Sequence, residues 1–124
     1  MLKALLLSIS LLTTANIHGE RFENTNWVSK VSNKYVASIN LRGSNYAVRY
    51  NKNSAQTFRG CYSVSKDTLI IKERDDSQQV PAYHRIKYVL KNSELHFYSI
   101  EEMVNHQWTK TKSGISRNTV FTRI

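Results

Sequence analysis

The sequence predicts an all-β domain, an antiparallel sandwich or barrel of about eight short strands. Three observations point there. Apolar residues recur at every second position through most of the chain beyond residue 30, the period of a half-buried strand. Turn-forming residues interrupt that pattern about every 8 to 12 positions, the spacing of a sandwich or barrel. The one helix candidate, 99–105 around Glu101 and Glu102, is too short to organise a core. Closure into a barrel removes the edges that a meander of this length would otherwise expose.

Met1-Leu2-Lys3 opens the chain with one basic residue, and 4–12 is an apolar run broken only by Ser8 and Ser10. Small and polar residues follow as far as Gly19. A short basic start, an apolar core and a small-residue exit describe a secretory signal peptide, with cleavage after Gly19 or after Ala15 both fitting. The run is about half the roughly 20 apolar residues that a membrane span needs. The expected division is therefore 1–19 as signal peptide and 20–124 as a single domain, secreted or periplasmic. Residues 20–26 are polar and expected to fray.

The strands follow in order. In 35–41 the odd positions Tyr35, Ala37, Ile39 and Leu41 are small or apolar, and Arg42-Gly43-Ser44-Asn45 supplies a turn. Tyr46, Val48 and Tyr50 then alternate with Ala47 and Arg49, and Asn51-Lys52-Asn53-Ser54 is a loop. Phe58, Gly60, Tyr62 and Val64 alternate with Arg59, Cys61 and Ser63, and Ser65-Lys66-Asp67 turns into 68–72. The charged stretch 73–79 is expected as the longest loop. Strand 80–90 puts Ile86, Tyr88 and Leu90 on one face against Arg85 and Lys87 on the other. Asn92 and Ser93 turn into 95–98, and the last two strands are expected at 104–112 and 119–124.

Several segments carry a resemblance: Trp27 soon after the signal, the Arg42-Gly43-Ser44-Asn45-Tyr46 hairpin, the run Gly60-Cys61-Tyr62-Ser63-Val64-Ser65-Lys66-Asp67-Thr68-Leu69-Ile70-Ile71, the run from Tyr88 to Phe97, and Phe121-Thr122-Arg123. The chain resembles small bacterial lipocalin-like domains of the calycin group over nearly all of its predicted mature length. The resemblance implies an antiparallel up-and-down barrel of eight strands, with Trp27 plugging the closed end and an Arg, here Arg123, packed over it.

An eight-stranded barrel is just wide enough to be filled by side chains or to hold one small ligand. Alternation alone turns Tyr46, Tyr50, Tyr62, Tyr88 and Trp108 inward, together with Tyr35, Val48, Phe97 and the Ile and Leu residues. Those rings either fill the interior or line a shallow apolar pocket whose hydroxyls orient a small apolar or amphipathic ligand. The chain carries 18 Lys and Arg against 9 Asp and Glu, a formal charge of +9. Arg49, Arg59, Lys72, Arg85 and Lys87 fall in the outward register, forming a basic wall. Its blander meaning is solubility, and its sharper one is docking on an acidic protein or an anionic membrane surface. Nucleic acid is not the expected partner of an exported chain.

Chemistry is not expected. A single Cys excludes an internal disulfide. His84, His96 and His106 show no ligand spacing, so no metal or other cofactor is anticipated. The carboxylates lie in predicted turns and loops rather than beside a His in a cavity, and there is no Gly-x-Ser-x-Gly nucleophile motif. The expectation is a non-catalytic binding protein, either a ligand carrier or a surface-interaction module.

Overall fold

The computed structural model describes residues 21–76, 79–111 and 118–124, so segment 1–19, expected as a signal peptide, lies outside the described residues. The described residues form nine strands: β1 Asn26–Val31, β2 Lys34–Arg42, β3 Tyr46–Asn51, β4 Gln56–Ser65, β5 Thr68–Asp75, β6 Ala82–Lys91, β7 Glu94–Val104, β8 Gln107–Lys110 and β9 Val120–Arg123. Consecutive strands β1 to β7 pair antiparallel. The N-terminal part of β7 then pairs with β9, and β9 with β1, which closes an eight-stranded up-and-down barrel. β8 lies outside that circuit. It takes the same edge of β7 further along, where Met103 faces Trp108 and Glu101 faces Lys110.

The two ends of the barrel differ. At one end the β2–β3, β4–β5 and β6–β7 turns use left-handed φ angles at Gly43, Lys66, Asn92 and Ser93, as Ser32 and Asn33 do in the β1–β2 turn at the other. Gly tolerates that region freely, and Asn more readily than most residues. The first of these ends is filled. Ile39, Leu41, Leu69, Ile71, Ile86, Leu95 and Phe121 are buried there and in the barrel waist. Trp27 plugs it, with Nε1–H donating to Thr25 Oγ1 at 2.8 Å and the ring 6.1 Å from that of Phe22. Thr25 Oγ1 in turn donates to the Phe22 carbonyl. Residues 22–25 are thus a fixed cap rather than a frayed end, because a Phe buried to 1% exposure anchors them. Arg123 faces Trp27 in the β1–β9 ladder and shares a cleft with it.

Two further expectations are corrected. The proposed helix at 99–105 is strand: β7 runs through to Val104. A bulge opposite Lys87/Tyr88, where Tyr98 is the extra residue, breaks the alternation there, which removes the period-two signal from the sequence. The charged stretch beginning at Glu73 starts as strand, since β5 continues to Asp75 and the connection to β6 is shorter than expected.

Candidate functional site

The open end of the barrel is built from the C-terminal ends of β1, β3, β5 and β7 and the N-terminal ends of β2, β4, β6 and β9. A cavity of about 370 Å³ lies there, lined by Ser29, Ala37, Arg49, Asn51, Tyr88 and Phe121 among others. Phe121 and Ala37 give it apolar wall, and Lys30, Asn53 and Thr119 give it polar wall. Its size is that of small-molecule sites, and its lining is more polar than most of them.

At its floor is a buried ion pair. Arg49 is 8% exposed and Glu73 3%. Arg49 Nε–H donates to Glu73 Oε2 at 3.0 Å and Oε1 at 3.2 Å, and Nη2–H donates to Oε1 at 2.5 Å. The guanidinium also lies 4.2 Å from the centre of the Phe58 ring. Burial opposes its charge, but the Glu73 hydrogen bonds and charge outweigh that and raise the Arg49 pKa above its ordinary value. Beside the pair, Tyr88 is fully buried, and its hydroxyl has no hydrogen-bond partner. Burial raises the Tyr88 phenol well above its usual range, reinforced by Glu73 and opposed by Arg49. It therefore stays a neutral donor at any physiological pH.

Arg49 is a correction to the basic wall. On β3 the inward residues are Ala47, Arg49 and Asn51, so Tyr46, Val48 and Tyr50 lie on the other face. A one-residue slip in assigned register turns every side chain over. The structure selects this register by packing the small Ala47 inside, opposite Leu41 on β2 and Gly60 on β4. It is tolerated because Glu73, in the inward register of β5 with Leu69 and Ile71, neutralises the guanidinium.

The five aromatic residues proposed as one pocket are not brought together. Tyr62 is buried at the closed end, where its hydroxyl donates to the Gly43 carbonyl, and burial raises its pKa. Tyr88 is at the cavity floor. Tyr46 is 42% exposed on the outer face of β3, on the same face as Tyr50. Trp108 stands outside the barrel on β8, stacked on Arg85 at 4.9 Å. Alternation around a mis-set register moved Tyr46 and Tyr50, and β8 lying outside the circuit moved Trp108. The polar residues Arg49, Glu73 and Asn51 were the missed signal: an Arg and a Glu each alternating with apolar neighbours on separate strands.

The remaining basic residues are on the outer face. Arg59 and Lys72 are exposed. Arg85 is clamped to Glu101, Nε–H to Oε1 and Nη2–H to Oε2 both at 3.0 Å, with Lys87 Nζ 3.8 Å from Oε1. The Arg85 hydrogen bonds hold the Glu101 carboxyl below its ordinary range. His84 faces Glu73 and Glu102 in the ladder, while His106 sits in the β7–β8 turn with a left-handed φ. Among the described residues no group of three acidic, His or Cys side chains could hold a metal. Comparison with family models, curated proteins and solved structures gives no match for this chain.

Proposed function

We propose that the protein is an exported, non-catalytic binding protein that takes one small amphipathic ligand in the open mouth of the barrel. The observation that carries this reading is the mouth cavity itself, with a buried Tyr88 hydroxyl lacking a partner beside the Arg49–Glu73 pair. Buried polar groups are nearly always hydrogen-bonded, so a donor left open beside a cavity is suited to a ligand's polar group. Lys30 at the same cavity favours a ligand whose polar end is anionic, and Phe121, Val36 and Ala37 favour an apolar body. The Trp27 plug and the barrel's closure support the lipocalin-like resemblance, in which the closed end is structural and the mouth is the binding end. The N-terminal pattern of residues 1–19 supports export.

The test is a titration with a fluorescent amphipathic carboxylate such as parinaric acid. Ala37→Phe, which fills the cavity from β2, should abolish binding. Tyr88→Phe should weaken it by about tenfold, the loss of one buried hydrogen bond. Tyr46→Ala and Trp108→Ala, whose side chains lie elsewhere, should leave it unchanged. Binding lost in Tyr46→Ala or Trp108→Ala but retained in Ala37→Phe would overturn the assignment of the mouth.

A further inference from the structure

The outer faces of β4 to β8 form a second surface, independent of the mouth. Strand pairing sets Arg59, Arg74 and Tyr83 in one row, and Cys61, Lys72, Arg85, Glu101 and Lys110 in the next. Between these rows lies a shallow hollow of about 590 Å³, with Cys61, Tyr83, Met103 and Trp108 in its walls and the stems of Arg59 and Lys72 beside them. Tyr83 is 48% exposed and Met103 37%. Arg74 pairs with Asp76, and Arg85 and Lys87 share Glu101. Among the described residues, Arg59 and Lys72 are exposed and make no salt bridge.

Trp and Tyr rings prefer the level of lipid headgroups, and cations beside them are drawn to anionic leaflets. The Arg85–Glu101 clamp under the indole fixes the half-buried Trp108 on this wall, with part of its ring at the hollow. Charge complementarity points the same way, since the whole chain is basic, at +9. An apolar hollow can receive hydrocarbon, while the flexible cations need no fixed register to reach phosphates. An acidic protein would need an apolar side chain placed to enter the hollow, whereas a bilayer offers hydrocarbon along its whole face.

We infer that the outer wall of β4 to β8 docks the protein on an anionic lipid bilayer, with Trp108 at the interface and Arg59 and Lys72 on the headgroups. The experiment is co-sedimentation of the chain recovered from its own host with phosphatidylcholine vesicles, with and without phosphatidylglycerol. The comparison variant is Arg59→Gln/Lys72→Gln, which carries the same N-terminus, so any contribution of that segment cancels. Both changes are on exposed side chains, and circular dichroism checks that the barrel persists. Binding should need phosphatidylglycerol, fall steeply with salt, and weaken in the double variant by about twenty-five-fold, from roughly five-fold for each cation removed.

Brominated lipid supplies the second readout. Trp27 is buried at 3% exposure, so quenching reports on Trp108, and a polarity-sensitive dye on Cys61, the one cysteine of the chain, should shift to the blue with it. Docking is overturned if the chain stays in the supernatant, or if neutral vesicles bind it equally. It is equally overturned if the double variant binds as well as the parent, or if Trp108 stays unquenched while the protein sediments. Capture by polyglutamate but not by vesicles would overturn it too and assign the wall to an acidic protein.

Discussion

The Arg49–Glu73 pair makes the sharpest stability prediction. Its side chains retain only 10% and 1% of their exposure, and the carboxylate accepts three N–H···O contacts from one guanidinium. Removing one partner leaves an uncompensated buried charge, which costs about 3–5 kcal/mol. Glu73→Leu strands the Arg49 cation under Phe58, and Arg49→Leu strands the Glu73 carboxylate. Each should therefore lose that amount, a large share of the roughly 5–15 kcal/mol that holds a domain folded. Arg49→Leu/Glu73→Leu removes both charges and should lose far less than the sum of the singles, because a buried pair exchanged for apolar side chains is often near neutral. Urea unfolding followed by the Trp27 fluorescence gives each value from the midpoint at unchanged slope, and the four proteins form a double-mutant cycle. Single losses below about 1 kcal/mol, or a double loss equal to their sum, would refute the claim that the pair is buried and coupled.

Three more outcomes follow from the same structure. Gly60→Ala should lose at least about 3 kcal/mol or fail to fold, since a Cβ there would meet the Lys72 carbonyl oxygen and sit 2.8 Å from the Glu73 Cα; thermal melting reads it. Tyr88→Phe should raise the stability of the ligand-free barrel by about 1 kcal/mol, because it deletes a buried hydroxyl that has no partner. The Arg85 hydrogen bonds lower the folded-state pKa of Glu101, so its contribution is complete above the unfolded value of 4.5 and fades as pH falls through the folded one. Glu101→Gln should accordingly be less stable than the parent at neutral pH, and the gap should close as pH drops below about 4.5.

The fold was legible because period-two alternation and turn chemistry are local signals. Tyr62, Leu69, Ile71, Ile86 and Tyr88 sit inside as their alternation implies, and the turns at Lys66 and at Asn92 and Ser93 fall where the sequence puts them. Register on β3 was not legible, since Ala47 and Arg49 on one side and Tyr46, Val48 and Tyr50 on the other each make a plausible inner face. Hydrophobicity alone chooses the rings, and the choice is reversed by long-range features, the packing of Ala47 between Leu41 and Gly60 and the neutralisation of Arg49 by Glu73. Likewise the bulge at Tyr98 hides the continuation of β7, and nothing in 107–110 says that β8 leaves the barrel circuit. The candidate site was for the same reason only partly readable: Tyr88 was identified, whereas its neighbours Arg49 and Glu73 had been assigned to a wall and a loop. Long-range pairing of charges inside a barrel leaves no mark in a window of ten residues.

The mouth as a ligand site is tested most directly by native mass spectrometry of the chain purified from its own host, at low and at high salt, beside Ala37→Phe prepared in the same way. A small-molecule adduct that survives high salt in the parent and is missing from Ala37→Phe is the predicted result, and its mass would give the ligand class. A bare parent protein at both salt concentrations, or an adduct equally present in Ala37→Phe, would contradict it.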